Sequence, residues 1–184
     1  MQKRFNLLRT AGYIELRYKE LKRTLRDIEE NCIVKIHKKD FFFKKEDGFT
    51  LNDSEQIHFQ YKWLEKVNEA LEEITPKPIA FLKIGRDYGY LMDIVNGETL
   101  EQKLKNPESK EKIKREFNFD LLYDSIKELH RRELPHGDLD PSNIMISHNN
   151  RFVLIDPFKH PSLSDGIHDD LSNLKRVREF VFNA

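Results

Sequence analysis

The clearest pattern in the chain is a run of apolar residues spaced three or four positions apart between Asp53 and Ile74. This spacing places them on one face of an α-helix. Asp53 is a suitable N-cap, with Gln56 three residues later as in a capping box, and the proline-containing run Thr75–Pro78 stops a helix. The sequence therefore predicts one long helix over residues 53–74. Its apolar face comprises Ile57, Tyr61, Leu64, Val67, Leu71 and Ile74.

Short segments rich in β-branched and aromatic residues lie on both sides of this helix and predict strands. Residues 31–37 and 40–45 precede it, with Lys38–Asp40 as the turn between them. Residues 78–84 and 88–95 follow it, joined by a glycine-containing turn. Because strands joined by short turns pair side by side, we expect a small lobe made of an antiparallel sheet and the long helix.

The second half of the chain predicts helices arranged around one polar loop, residues 134–143. Asn96 and Gly97 favour a turn, and the charged run 105–116 suits an exposed connection. A turn at residues 148–150 separates two short strands. The other predicted elements are a short helix beginning over residues 99–104, a helix over 117–132, strands over 143–147 and 151–156, and a closing helix over 169–182.

Composition indicates a folded chain in a reducing compartment. Apolar residues make up 38% and charged residues 35% of the 184 residues, and 13 Phe and 6 Tyr supply bulk for a core. That length favours one domain or one unit of two lobes. Cys32 is the single cysteine, so no disulfide within the chain and no cysteine-based zinc site can form. We find no apolar run of about 18 residues and no signal-peptide core, and we expect a cytoplasmic protein without a transmembrane segment.

Charge is unevenly distributed although the net charge is zero. Residues 1–45 hold 13 Lys and Arg and 6 Asp and Glu, a balance of +7. This basic N-terminal region is suited to phosphates, a membrane surface or an acidic partner. The alternative is a solvated, lysine-rich surface.

The most informative chemistry lies in residues 136–143, His-Gly-Asp-Leu-Asp-Pro-Ser-Asn, and in the apolar strand that ends at Asp156. Phosphoryl transfer needs a carboxylate near the attacking hydroxyl, metal ions on the phosphates and cationic groups that hold them in line. Asp138 is suited to be that carboxylate. Asn143 and Asp156 offer a neutral and a charged oxygen ligand for Mg²⁺. The structural alternative is a turn-rich loop around a buried, satisfied His136.

These two segments resemble the catalytic loop and metal-binding segment of the protein-kinase-like superfamily. The His-Gly-Asp form is similar to aminoglycoside phosphotransferases, RIO kinases, lipopolysaccharide core-sugar kinases and the small atypical kinase of the tRNA threonylcarbamoylation complex. The resemblance implies Asp138 as the catalytic base, Asn143 and Asp156 as Mg²⁺ ligands, and His136 as a residue that shapes the loop. The sequence departs from protein kinases at Pro157-Phe158, which replaces Phe-Gly and argues against switching by a flip of this segment.

Residues 90–100 resemble the hinge between kinase lobes, a strand followed by a backbone crossing and Gly-x-x-Leu. The resemblance implies that adenine bonds to main-chain groups near Met92, Asp93 and Ile94. An ordinary edge strand and turn is the alternative for the same residues.

Two lysines compete for the role of holding the phosphates. Lys35 lies in Cys-Ile-Val-Lys-Ile, which resembles the lysine strand of kinases and leaves room upstream for a phosphate loop. That loop would contain only Gly12, so it departs from the glycine-rich pattern. Lys44 is the rival and lies nearer the hinge. We favour Lys35 narrowly.

An acidic residue on the long helix is expected to pair with that lysine. Glu55 follows Lys35 by 20 residues, and Glu65 follows Lys44 by 21. Asp170 lies at the predicted start of the closing helix. The resemblance to small atypical kinases implies that it braces the catalytic loop, whereas acids at helix N-termini are also common because of the helix dipole.

The resemblance implies an α+β, bilobal, protein-kinase-like fold with a small antiparallel β N-lobe and a mostly helical C-lobe. The nucleotide-gripping lobe is expected over residues 1–95 and the catalytic lobe over 96–184. The expected activity is transfer of the γ-phosphate of ATP, with Mg²⁺, to a hydroxyl of a small molecule, a glycan or a docked protein. Only 28 residues follow Asp156. This short C-terminal segment resembles that of the small atypical kinases. The alternative is a kinase-shaped ATPase or pseudokinase that acts as a partner-binding module.

Overall fold

The computed structural model describes residues 32–36, 39–46, 51–71, 73–84 and 87–182. These residues form two compact units. The first unit takes its residues from 32–61 and 77–94, and the second from 62–76 and 95–182. The predicted functional division at residue 95 stays a prediction.

The first unit contains a four-stranded antiparallel sheet. Its strands are β1 (Cys32–Ile36), β2 (Lys39–Glu46), β3 (Pro78–Ile84) and β4 (Asp87–Asp93), in the order β1-β2-β4-β3. All four predicted strands are therefore present within a residue or two of their expected bounds. Among the described strands, β2 and β4 are the inner pair.

Helix α1 spans Leu51–Ala70, not residues 53–74 as predicted. The prediction that Asp53 caps the helix is wrong, because the helix begins two residues earlier and includes Asp53. At the other end, Ile74 lies in a turn, where its carbonyl accepts a hydrogen bond from the backbone of Leu154 at 2.8 Å. The buried side chains of α1 include Ile57, Trp63, Leu64 and Val67.

The second unit is mostly helical and carries a small antiparallel sheet with the strand order β5-β6-β7. The elements are β5 (Gly97–Thr99), α2 (Leu100–Lys105), α3 (Pro107–Glu116), α4 (Phe119–Arg131), β6 (Ile144–Ser147), β7 (Phe152–Leu154) and α5 (Leu163–Phe182).

Helix α3 forms most of residues 105–116, which the sequence predicted to be an exposed connection without assigning a helix. Asn106 caps the helix through its side chain, which accepts from the backbone of Glu108 at 3.0 Å, and Pro107 occupies the first helical position. A proline fits there because its missing N–H has no partner inside the helix. One apolar residue, Ile113, is buried and anchors the otherwise charged helix.

Helix α5 begins at Leu163, six residues before the predicted start. Asp169 and Asp170 therefore lie inside the helix, and the helix-dipole explanation for Asp170 is wrong. Asp170 is fully buried beside the apolar residues Leu174 and Val177 of the same helix. A buried carboxylate needs hydrogen-bond partners, and its partners are found in the polar loop.

Together the small antiparallel sheets and the helices give the predicted α+β class. No helix in the part of the chain that the structure describes combines the length and hydrophobicity needed to cross a membrane.

Candidate active site

The polar loop begins where α4 ends. Glu133, in the left-handed conformation with φ 61°, follows the C-cap Arg132. The backbone of Glu133 donates to His130 and that of Leu134 donates to Leu129, at 3.0 and 2.9 Å. This pair of bonds is a Schellman motif. It ends the helix and directs the chain into the loop.

The carboxylate of Asp170 holds the first residues of the loop. Its Oδ2 accepts from the backbone N–H of His136 at 2.8 Å, and its Oδ1 accepts from that of Gly137 at 2.8 Å. His130 of α4 donates from Nε2 to Oδ2, also at 2.8 Å. These are the contacts that a loop-bracing residue needs, while the effect of Asp170 on catalysis stays a prediction.

His136 lies completely buried at the centre of the loop. Its Nε2 donates to the carbonyl of Ile155 at 2.9 Å, and its Nδ1 accepts from the backbone of Asp138 at 3.3 Å. The ring packs edge-on against Trp63, with centroids 5.3 Å apart.

The hydrogen bonds of His136 require the neutral imidazole, since Nδ1 must lack a proton to accept. Burial lowers the pKa of His136 below its ordinary value of 6.5, although the charges of Asp170, Asp138 and Asp156 act in the opposite direction. These contacts hold His136 in the loop as a neutral group, while its role in shaping a kinase-like catalytic loop stays a prediction.

Asp138 and Asn143 are in direct contact. The side-chain nitrogen of Asn143 donates to Oδ2 of Asp138 at 2.8 Å and to the Asp138 carbonyl at 3.0 Å. Because the amide nitrogen is directed at Asp138, the amide oxygen of Asn143 faces another direction. Asp138 itself is exposed.

Asp140 has a structural task within the same loop. Its Oδ1 accepts from the backbone and the hydroxyl of Ser142, at 2.9 and 2.8 Å, and so caps the single 3₁₀ turn Pro141–Asn143. The Asp140 carbonyl accepts from the backbone of Asn143 at 2.8 Å. This turn brings Asn143 back to Asp138 across five positions of sequence.

Asp156 follows β7 and lies next to the loop. The backbone of Ile155 donates to the carbonyl of Asn143 at 3.0 Å, which brings the two predicted metal ligands into neighbouring positions. Asp156 has φ 56°, a region that aspartate tolerates better than most residues. Its carboxylate is half-buried.

A carboxylate and an amide oxygen are ligands that Mg²⁺ accepts, with phosphate and water completing its shell. Asp156 and Asn143 fit this requirement. Among the described residues, no group of three or more His, Cys, Asp or Glu side chains is arranged to hold a metal ion. The predicted pair, Asn143 and Asp156, contains one amide and one carboxylate, so it does not belong to groups of that type.

The sequence did not single out His160, four residues after Asp156. Its Nε2 donates to the carbonyl of Gly137 at 2.6 Å. The sequence analysis also did not single out His130, which contacts Asp170, or Trp63, which contacts His136. No local signal marks these three residues, because each contact joins positions at least 23 residues apart.

The first unit holds the predicted nucleotide-binding residues. Lys44 is buried on β2 and lies opposite Tyr90 of β4. Residues directly opposite on antiparallel strands face the same side of a sheet. On that side the hydroxyl of Tyr90 lies 3.4 Å from Oε1 of the buried Gln60 on α1, a residue that the sequence did not indicate.

The predicted adenine-binding backbone lies at the end of β4. The N–H of Asp93 is used in a 2.9 Å bond to the carbonyl of Lys77. Met92 pairs with Phe42 of β2 and is buried. The main chain of Ile94 makes no hydrogen bond to another residue within the described ranges.

The remaining predicted residues stay predictions. Lys35 lies on β1 opposite Asp40, and its side chain is outside what the structure describes. Gly12 lies outside the described residues. Glu55 is exposed, and Glu65 forms an ion pair with Lys62 at 2.7 Å.

No family model matches the sequence, and a search of curated proteins finds no match. Solved structures do match. The kinase domain of PknI from Mycobacterium tuberculosis, solved as a double mutant, has a TM-score of 0.62 and 16% sequence identity over 83% of this chain. The chain spans 66% of the length of that domain. The chain thus has a fold of the protein-kinase type.

Proposed function

We propose that this protein is a phosphotransferase that moves the γ-phosphate of ATP to a hydroxyl, with Mg²⁺. The 2.8 Å contact between Asn143 and Asp138 carries the proposal. This contact links a predicted base to a predicted metal ligand within the polar loop. The kinase-type fold supports the same conclusion.

Asp138 acts on the acceptor. Its carboxylate is exposed and is oriented by the side-chain amide of Asn143, so it can accept the proton that the acceptor hydroxyl loses. The side-chain amide of Asn143 also donates to the carbonyl of Asp138 and so holds the backbone there. General-base assistance of this kind contributes about 10² to 10⁴ in rate.

Asn143 and Asp156 would hold Mg²⁺. The bound ion supplies positive charge to the phosphates and keeps them in line for transfer. The amide nitrogen of Asn143 is bound to Asp138, which leaves its oxygen for the metal. The proposal therefore gives Asn143 two roles, one through each atom of its amide.

For the phosphate-holding lysine, strand position favours Lys44, although the sequence pattern favoured Lys35. Lys44 lies on an inner strand beside β4, while Lys35 lies on β1, an edge among the described strands. Ile94 is the best placed of the three hinge residues to bond adenine, since its main-chain groups are not used by other described residues.

The acceptor is proposed to be a hydroxyl-bearing small molecule, a glycan or a docked protein. The basic region over residues 1–45 is suited to an acidic partner or a membrane surface. A kinase-shaped ATPase or pseudokinase shares the nucleotide and metal roles but lacks an acceptor. Transfer of labelled γ-phosphate to a candidate acceptor separates the two.

Thermal stabilisation by ATP tests the metal assignment. A ligand at 100 times its Kd stabilises the folded state by about 2.7 kcal/mol, or about 5 °C or more for a chain of this size. We expect this shift with ATP and Mg²⁺ and a much smaller one with ATP and EDTA. Asp156→Asn should remove the metal-dependent part, and it suits the positive φ better than Ala would.

The matched control is Asp124→Asn, which removes a charge from an exposed position of α4 and should keep the full shift. Equal shifts in Mg²⁺ and EDTA for the wild-type protein would contradict the metal assignment.

A further inference from the structure

Besides the bond from the Ile155 backbone to the Asn143 carbonyl, three hydrogen bonds between described residues join the polar loop to the segment around Asp156. His136 donates from its ring to the carbonyl of Ile155 at 2.9 Å, and the backbone of Phe158 donates to the carbonyl of His136 at 2.8 Å. The third is the 2.6 Å bond from Nε2 of His160 to the carbonyl of Gly137. Of the three, only the His160 bond reaches the peptide group that enters Asp138.

Gly137 is held on both sides. Its N–H donates to Asp170, and its carbonyl accepts from His160. Its φ is 77°, a conformation in which glycine avoids the steric cost of a Cβ. A Cβ atom at this position would also lie 2.2 Å from the carbonyl oxygen of Phe158. The direction of the chain into Asp138 is therefore set by these contacts.

The chemistry of the third bond fixes the tautomer of His160. A carbonyl oxygen only accepts, so Nε2 of His160 must carry the proton. Oδ2 of Asp169 lies 3.9 Å from the same nitrogen, beyond hydrogen-bond range. The ring of Phe158 stands edge-on to the His160 ring, with centroids 5.3 Å apart, and restricts its orientation.

We propose that His160 is a positioning residue for the reaction. By holding the carbonyl of Gly137, it fixes the peptide that carries Asp138 against the segment that carries Asp156. The base and one metal ligand then keep a constant separation. This role rests on the proposed phosphotransferase function for its kinetic consequence, but the hydrogen bond itself can be tested without activity.

The tautomer of His160 is the first test. Nitrogen-15 NMR of the full chain, labelled at histidine, distinguishes an Nε2–H from an Nδ1–H ring. We expect Nε2–H for His160, and His160→Leu should accelerate amide hydrogen exchange over residues 136–143. An Nδ1–H ring, or unchanged exchange in His160→Leu, would overturn the proposal.

Turnover is the second test, with phosphate release from MgATP as the assay and water as the acceptor. We expect His160→Leu to lower kcat about 10-fold with the KM for MgATP changed by less than about 2-fold. His160→Gln, whose amide nitrogen can replace Nε2, should restore most of the loss. His168→Leu, at an exposed position of α5, should match the wild type.

The NMR test and the turnover test distinguish failure of the positioning role of His160 from failure of the proposed phosphotransferase function. If wild-type protein neither binds nor hydrolyses MgATP, the proposed function fails, and the NMR result still decides whether His160 holds the loop. If the wild type hydrolyses MgATP and His160→Leu does so equally well, the positioning role is wrong while the proposed function stands.

Discussion

His136 and Asp170 are both fully buried, and the polar groups around them differ. His136 is bonded as a neutral ring, whereas Asp170 is bonded as a carboxylate that only accepts hydrogen bonds. His136 stays neutral because burial disfavours the imidazolium and because its Nδ1 must accept a hydrogen bond. Asp170 accepts three hydrogen bonds at 2.8 Å, which compensate its carboxylate for the loss of water. The loop thus depends on one neutral ring and one satisfied buried acid.

The lowered pKa of His136 predicts a pH dependence of stability. Below pH 6.5 His136 binds a proton more readily in the unfolded chain than in the folded protein. The free energy of unfolding therefore falls as the pH falls towards the folded pKa. The loss is about 1.4 kcal/mol per pH unit for a full proton. Urea unfolding at pH 7.5 and 5.5 should show a larger loss for the wild type than for His136→Gln. Equal losses would show that His136 is not the group responsible.

The two candidate lysines predict different outcomes. If Lys44 holds the phosphates, Lys44→Met should weaken MgATP binding and lower turnover by about 10-fold or more. Lys35→Met should then change both by less than about 2-fold. Isothermal titration and phosphate release from MgATP measure the two effects. The reverse result would return the role to Lys35 and leave the phosphotransferase proposal intact.

At the scale of elements, the end of α4 sets the entry into the polar loop. Glu133 is exposed, and it occupies the left-handed position of a Schellman motif that usually holds glycine. Glu133→Gly should therefore raise the free energy of unfolding by about 0.5 to 1 kcal/mol in urea titrations. Glu128→Gly, inside the same helix, should lower it by a similar amount or more. Destabilisation by Glu133→Gly would contradict the strain assigned to this position.

Local patterns predicted the elements whose causes are local. The strands, the buried positions Ile57, Leu64 and Val67 of α1 and the turn at residues 148–150 follow from periodicity and turn residues, whereas the predicted face residues Leu71 and Ile74 lie beyond the helix. Helix α3 was missed although Asn106 and Pro107 form a proper start, because its charged composition was interpreted as a connection. A single buried residue, Ile113, was too weak a periodic signal.

The first turn of α5 packs closely against the polar loop. Gly166 is the fourth residue of the helix, and a Cβ there would come within 2.9 Å of the Pro135 ring. The glycine thus serves close packing of the helix against the loop, while by propensity it disfavours a helix. Contacts of this kind, like those of His160 and His130, cannot be predicted from spacing along the chain.

At the scale of the whole molecule, the fold is retained at very low sequence identity. The kinase-type likeness holds at 16% identity, where most side chains differ. The residues that the sequence did identify, Asp138, Asn143, His136 and Asp156, form one connected cluster in the second unit. The sequence singled them out because phosphoryl transfer, the proposed reaction, restricts residue type and spacing at once.

The most direct measurement of the central claim is the turnover of Asp138→Asn. The change keeps the shape of the side chain and removes the base, so folding and MgATP affinity should stay near those of the wild type. Transfer of labelled γ-phosphate, to water and to a panel of hydroxyl-bearing small molecules and glycans, should fall on the order of 10²-fold or more. Asp124→Asn should retain wild-type turnover. Full activity in Asp138→Asn would contradict the account.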